Sequence, residues 1–307
     1  MLVLHVIPVG RSLLDQIARG TLPELRSALV ADELPGLAVT VSEALRQATG
    51  RNQELDLDCL GLTDVPRTVS ALGPAMAAEW TSMAAVAAER RYGVVDGETC
   101  VFIATDTEDG LRAATLLAAR YQPAIRYLHE PLSAGRPVLE PGDVYVCRVP
   151  DLDLGIRKPT SATWRSLGAV GRLVADTAGQ IGRGDWEVVL HLSGGHQAMI
   201  PYLMVMAEGV HSRLRDLPLN APHRATIRAV AIHDSSLERR LIVIDIPVRA
   251  IEGNLLSDVR KLTALAWPDS DLVNAGIADD LLGSLIEKAD ERTRRLTEAG
   301  LIMVNVL

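Results

Sequence analysis

The sequence predicts an α/β fold: a mostly parallel sheet with helices on both faces. Three observations predict it. Short apolar runs end repeatedly in polar, glycine- or hydroxyl-bearing loops, and each loop is followed by a helix-compatible stretch. The runs Leu2–Pro8, Thr99–Ala104 and Trp186–Leu192 are apolar along most of their length, as strands covered on both faces are. At 307 residues with 48% hydrophobic and 23% charged residues, the chain can bury a sizeable core. Together these describe a Rossmann-like architecture over residues 1–250, with a small helical C-terminal extension over 251–307.

Taken in order, Leu2–Pro8 reads as a strand, Val9-Gly10 as a tight loop, and Ser12 as the opening of a helix. Residues 21–68 are mixed, with a helical pattern at Val39–Ala48 and a strand pattern at Leu55–Leu60. The Ala- and Met-rich stretch Ser70–Arg91 has helical spacing. The strand Thr99–Ala104 leads through Thr105-Asp106-Thr107 to a helix ending near Arg120, and residues 124–129 and 143–148 read as further strands. After a polar loop at 150–159, Ser161 caps a helix running to Ile181. The strand Trp186–Leu192 leads through Ser193-Gly194-Gly195 into a helix spanning His196–Leu214. Thr226–His233 and Arg240–Val248 form a strand pair. The extension reads as two helices, Leu255–Trp267 and Ile277–Ala299, with Gly300 as a C-cap and a strand-like apolar end.

Composition excludes several classes. The formal net charge of −8 sets up no global field toward nucleic acid or an anionic membrane, so an anionic ligand needs a local arrangement. Only Lys158, Lys261 and Lys288 are lysines among 31 basic residues, which limits lysine chemistry. Cys59, Cys100 and Cys147 are far apart and form no CxxC pair, so neither a disulfide framework nor a structural zinc site is expected. No metal or cofactor is expected. The N-terminus has no leader pattern and no apolar run approaches the ~18 residues of a membrane span, so the expectation is a soluble cytoplasmic protein.

Three strand-to-loop junctions hold the residues that suit ligand chemistry: Gly10, Arg11 and Ser12; Thr105, Asp106 and Thr107; and Ser193, Gly194, Gly195, His196 and Gln197. In open α/β sheets, ligands lie beyond the carboxyl ends of the strands, where glycines permit close approach and helix N-termini offer N–H groups to anions. Each junction also has a structural reading. Gly10 and Gly194-Gly195 serve tight turns, Ser12 serves as an N-cap, Asp106 and Glu108 complement a helix dipole, and His196 opens an apolar helix. Neither GxGxxG nor GxxxxGK[ST] occurs at these junctions, which removes the best support for NAD or ATP.

The combination resembles a family. VIPVGRSLLDQI is similar to the opening strand and loop of CRISPR-associated Rossmann fold (CARF) proteins. FIATDTEDGLRAATLLA resembles their second segment, a strand ending in Ser/Thr-Asp-Thr, and HLSGGHQAMIPYLMVMA resembles their third, which carries a GG-[FY]-K core followed by PYL. The resemblance covers roughly residues 1–250 and implies a homodimer whose loop edges form one basin for a cyclic oligoadenylate, tetra- or hexa-adenylate, the second messenger of type III CRISPR defence. Family members that act as ring nucleases cut this ring without metal by ribose 2′-hydroxyl attack. In that alternative Ser12, Arg11 and His196 are the candidate catalytic residues, and Gln197 stands where the family carries lysine.

Two nuclease effector types find little or no support in the sequence. Arg228–His233 matches the RxxxxH pattern of HEPN ribonucleases but lies in a β-rich run, and Ile156, Val259 and Ile286 stand where a PD-(D/E)xK site needs an acid. The extension, with Arg292, Arg294 and Arg295, shows two helices and one strand where a winged helix needs about three helices and a wing. A solvated basic face or a dimerisation element is favoured there, with a cyclic-oligoadenylate-responsive transcriptional regulator using the extension on DNA as the second alternative.

Overall fold

The computed structural model describes residues 2–10, 12–19, 53–56, 75, 77–90, 98–122, 124–128, 139–152, 159–180, 185–195, 197–217, 225–235, 240–262, 266–274, 277, 281 and 284–307. The expected helix at Val39–Ala48 lies outside them, as do Arg11 and His196.

The first half alternates strands and helices: β1 (Leu2–Pro8), α1 (Ser12–Arg19), β2 (Gln53–Asp56), α2 (Ala78–Glu89), β3 (Thr99–Ala104), α3 (Glu108–Ala119), β4 (Ala124–Leu128) and β5 (Val144–Arg148). There follow α4 (Ser161–Ala178), β6 (Trp186–His191), α5 (Ile200–Arg215), β7 (Ala225–Ser235) and β8 (Arg240–Ile246). Among the described residues these strands form one eight-stranded sheet in the order β2-β4-β5-β3-β1-β6-β7-β8. The pairs from β4 through β7 are parallel, whereas β2 and β8 close the two edges antiparallel. The Rossmann-like α/β class is therefore present.

Alternation along each strand sends side chains to two cores. Leu4, Val6, Val101, Ile103, Val188 and Leu190 pack under α4 and α5. Ile7, Val9, Cys100, Phe102, Ala104 and Val146 pack under α1, α2 and α3 with Leu13, Trp80, Met83 and Leu117. Burial on both faces is why these strands read as unbroken apolar runs. On one side of β1 lie β3, β5, β4 and β2, and the chain then crosses back to place β6 on the other side of β1. The strand order reverses beside β1, and in open α/β sheets ligands bind beyond the carboxyl ends of the strands at such a point.

Three helix starts differ from expectation: α2, expected from Ser70, begins at Ala78 after an extended Ala77, and two more follow. The N-cap of α4 is Thr160 rather than Ser161: its side chain and that of Thr163 satisfy each other's backbone N–H groups in a capping box. The stretch from His196 is not one helix; Gln197–Met199 forms a 3₁₀ turn and α5 starts at Ile200, with Pro201 in its first turn. Proline suits that turn because its missing N–H would have had no helical partner.

The extension departs further. It contains α6 (Gly253–Lys261), β9 (Ala266–Pro268), α7 (Asp269–Asn274), β10 (Ile286–Lys288), β11 (Thr293–Leu296) and α8 (Glu298–Val306), with a three-stranded antiparallel sheet in the order β10-β11-β9. Where a helix over Ile277–Ala299 is expected, the described residues from Ile286 to Leu296 form a hairpin. Its turn is made by Asp290, whose carboxylate accepts the N–H groups of Arg292 at 2.8 Å and Thr293 at 2.9 Å. Leu281, Leu285 and Leu296, which look like one helical face, are all buried, but from separate elements.

Gly300 is likewise not a C-cap. It donates its N–H to Thr297 Oγ1, the N-cap of α8, and a Cβ there would lie 2.1 Å from the Leu285 carbonyl oxygen. The expected strand-like end is the helix α8, whose Ile302, Met303 and Val306 are buried against α4 and α5. Glycines permit this: a Cβ on Gly168 would stand 2.5 Å from the Ile302 oxygen, and one on Gly171 2.8 Å from Val306 Cγ2.

Candidate functional site

The first and third loops meet at this reversal point. β1 and β6 are neighbours with parallel register from Leu2↔Trp186 to Val6↔Leu190, so the loops that follow them emerge side by side. A Cβ on Gly10 would stand 3.2 Å from the backbone of Gly195, and Gly195 itself has φ +78°, a left-handed conformation that favours glycine. The third loop is tied to β7 through Ser193, whose Oγ accepts the Ile232 N–H at 2.6 Å.

Beneath this junction lies a residue the sequence reading passed over. Glu79, in the first turn of α2, is fully buried. Its Oε1 accepts the N–H groups of Gly10 at 2.9 Å and Gly195 at 3.3 Å, and its Oε2 accepts the Ser12 hydroxyl at 3.0 Å. One carboxylate thus binds both glycine loops and the serine, at the end of α2 where the helix dipole favours negative charge. The N–H groups of Gly10 and Gly195, expected to face a ligand phosphate, are in use inside the protein. The only signal in the sequence is a lone acid in the small, apolar stretch AMAAEWTSMAAVAA.

A second polar group runs below it. Ser82, one turn further along α2, bonds His191 Nδ1 at 2.7 Å; His191 Nε2 bonds His5 Nδ1 at 2.8 Å; His5 Nε2 reaches Glu98 Oε2 at 2.5 Å. Ser82, His191 and His5 are fully buried. The four side chains form one continuous hydrogen-bonded chain, each contact short enough to share one proton. Burial drives the His191 pKa well below the ordinary imidazole range, and the electrostatics of neighbouring His5, Arg90 and Arg228 push the same way. Burial alone would raise the Glu98 carboxyl, but hydrogen bonding and charge from His5 and Arg90 outweigh it and hold its pKa low. Arg90 continues the chain of charges to Glu187 at 2.8 Å.

The second loop follows β3, on the other side of β1. Asp106 is paired with the Arg148 guanidinium and accepts the Asp151 N–H at 2.7 Å. Asp151 has φ +57° and accepts the Thr160 hydroxyl at 3.0 Å, which connects this loop to the start of α4. Thr107 is the N-cap of α3, accepting the Gly110 N–H at 3.0 Å, and its Oγ1 lies 3.0 Å from that of Thr105. A Cβ on Gly110 would stand 1.8 Å from Thr105 Oγ1, so the loop closes only over glycine. Arg148 and Asp151 are the residues sequence reasoning missed here.

The structure therefore brings Gly10, Ser12, Gly194 and Gly195 together and sets Thr105, Asp106 and Thr107 one strand away. Gln197 is exposed at the start of the 3₁₀ turn, while Arg11 and His196 lie outside the described residues. Cys100 and Cys147 are free and buried; burial pushes the Cys147 thiol up to about 12 and Cys100 higher still, so neither is a nucleophile at neutral pH. Among the described residues no group of His, Cys, Asp or Glu is arranged to hold a metal, and no helix is long and apolar enough to cross a membrane. No protein-family model matches the chain, and no curated protein matches it in sequence.

Proposed function

We propose that this chain is a CARF-type sensor that binds a cyclic oligoadenylate across the two-fold axis of a homodimer in type III CRISPR defence. The observation that carries the reading is the junction of the first and third loops at the reversal point of the sheet, with Gly10 against Gly195 and Ser12 beside them. The resembling motifs VGRSLL and SGGHQ supply those residues. A ring with two- or four-fold symmetry suits an isologous site, in which each protomer offers the same loops.

Sensing is favoured over ring cleavage by two features. The Ser12 proton is directed to Glu79, and Gln197 carries no charge to offset a developing oxyanion. The test is incubation with cyclic tri-, tetra- and hexa-adenylate, followed by mass spectrometry of retained and free nucleotide. Intact ring retained at one per dimer is expected. Linear or cyclic-phosphate-ended fragments would make the chain a ring nuclease, and neither binding nor cleavage would overturn the ligand.

A second reading, a ring-responsive DNA-binding regulator, is favoured by the extension. Among the described residues its order, helix, strand, helix and then a two-stranded hairpin with the last strand central, matches a winged helix except for one helix before the hairpin, and Arg292, Arg294 and Arg295 fall in the hairpin. Fluorescence anisotropy with duplex DNA, with and without ring and over a salt series, tests it. Binding that neither weakens with salt nor responds to ring counts against it.

A further inference from the structure

The loop junction has the composition of an anion cradle, two glycine N–H groups and a serine hydroxyl, yet its occupant is built in. All three donors converge on Glu79, which is fully buried, so they point into the protein rather than toward a ligand. A phosphate brought to this point would meet a carboxylate a few ångströms away, and two anions sharing one set of donors repel. Ser12 as a residue is only partly buried, and its proton is engaged by Glu79 Oε2. A hydroxyl whose proton is spoken for offers a ligand only its lone pairs, so it accepts and does not donate. The chemistry that fits is a neutral donor, and on an oligoadenylate the donor in the backbone is the ribose 2′-hydroxyl.

We propose that Glu79 is a positioning and specificity residue: it closes the Gly10–Gly195 cradle to phosphate and turns Ser12 Oγ into an acceptor for a ribose 2′-hydroxyl. The choice of ribose rests on the ring-binding reading above; the closing of the cradle does not. Gly194 is part of the device. A Cβ there would stand 2.6 Å from Glu79 Cγ and 2.8 Å from the Pro8 oxygen, so only glycine leaves room for the carboxylate under the loop.

The test has two arms. In the first, formate and inorganic phosphate are added to the wild-type protein and to Glu79→Ala, and thermal stability is followed. The wild type should show no response, whereas the variant should be stabilised by formate, which refills the vacated donors. A folded Glu79→Ala that ignores formate, or a wild type stabilised by phosphate in a way that Ser12→Ala abolishes, overturns the proposal.

In the second arm, cyclic tetra- and hexa-adenylate are compared with their 2′-O-methyl analogues on wild type, Ser12→Ala and Glu79→Gln. The wild type should prefer the ribose ring by about tenfold, the value of one well-made hydrogen bond. Ser12→Ala should lose that preference. So should Glu79→Gln, whose amide N–H turns the Ser12 proton outward, and this isosteric variant decides the matter if Glu79→Ala does not fold. Rings that bind without any ribose preference, or a preference that survives in Glu79→Gln, overturn the role of Glu79 while leaving ring binding intact. If no ring binds the wild type, the ribose assignment falls with the ring reading, and the formate response alone decides the cradle.

Discussion

Gly194 shows how one missing methyl group positions the site. Inserting a Cβ 2.6 Å from Glu79 Cγ forces the carboxylate or the loop to move, so Gly194→Ala should lose about 1–3 kcal/mol of stability, the usual cost of overpacking. Urea unfolding measures this. Ser12→Ala removes one hydrogen bond to the same carboxylate but leaves its other two partners, and should cost only ~1 kcal/mol. A Ser12→Ala loss as large as that of Gly194→Ala would mean that Glu79 depends on the serine rather than on the backbone N–H groups.

The His5–His191 pair makes a second prediction at this scale. His191 holds its pKa below the ordinary value of 6.5, so as pH falls through that value the unfolded chain takes up a proton the folded chain refuses. Stability is therefore full above about pH 6.5 and declines below it. Glu98 acts in the same direction further down, because its lowered pKa contributes stability that is lost as pH falls from about 4.5. Unfolding free energy against pH should show both slopes, and His191→Gln should flatten the upper one while leaving the lower. An unchanged upper slope in His191→Gln would assign that proton uptake to another group.

At the scale of elements, α8 is seated on α4 through glycines. Gly168→Ala would put a methyl group 2.5 Å from the Ile302 carbonyl oxygen, a backbone atom that cannot swing aside. The helix propensity gained, ~1 kcal/mol, is smaller than the clash, so a net loss of about 1–2 kcal/mol is expected by thermal or chemical unfolding. Gly253→Ala is the control: nothing lies within 4 Å of a Cβ there, and the residue opens α6, so stability should hold or rise slightly. The helix α8 also explains why the extension was misread. Leu281, Leu285, Ile286 and Leu296 fit a helical period by position, but the turn at Asp290 and the cap at Thr297 break the segment into hairpin and helix. Periodicity over so short a span does not separate a buried hairpin from a helix.

For the whole molecule, the extension and the sheet share buried surface. Val259, Leu262, Leu285, Ile286, Leu296, Ile302 and Val306 belong to the same apolar cluster as β1, β6 and α4. Arg213 of α5 bonds Asp176 of α4 at 2.6 Å and the backbone carbonyl of Leu307, fastening the end of the chain. A chain ended after residue 250 should expose this cluster and give a dye-binding, poorly cooperative product; a sharp unfolding transition from that fragment would show that the sheet stands alone. The second loop and the hairpin both reach the start of α4. Asp106 holds Asp151, Asp151 holds Thr160, and the start of α4 lines a hollow of about 240 Å³ with Glu287 and Arg295 of the hairpin.

The sequence by itself determined the α/β class, the parallel strands and the three loops, because those are written in local pattern: apolar runs of strand length, glycines and hydroxyls where they end, helical spacing after. It also put Arg228–His233 on a strand, as found in β7, where an RxxxxH helix cannot form. What only the tertiary structure decided was which loop residues turn inward. Glu79 is 67 residues from Ser12 and 116 from Gly195, and no local rule couples them. Asp106 looks like a free acid until Arg148, 42 residues on, is seen beside it. Hydrogen-bond partners across a sheet are fixed by strand order and register, and these become visible only when the chain has closed on itself.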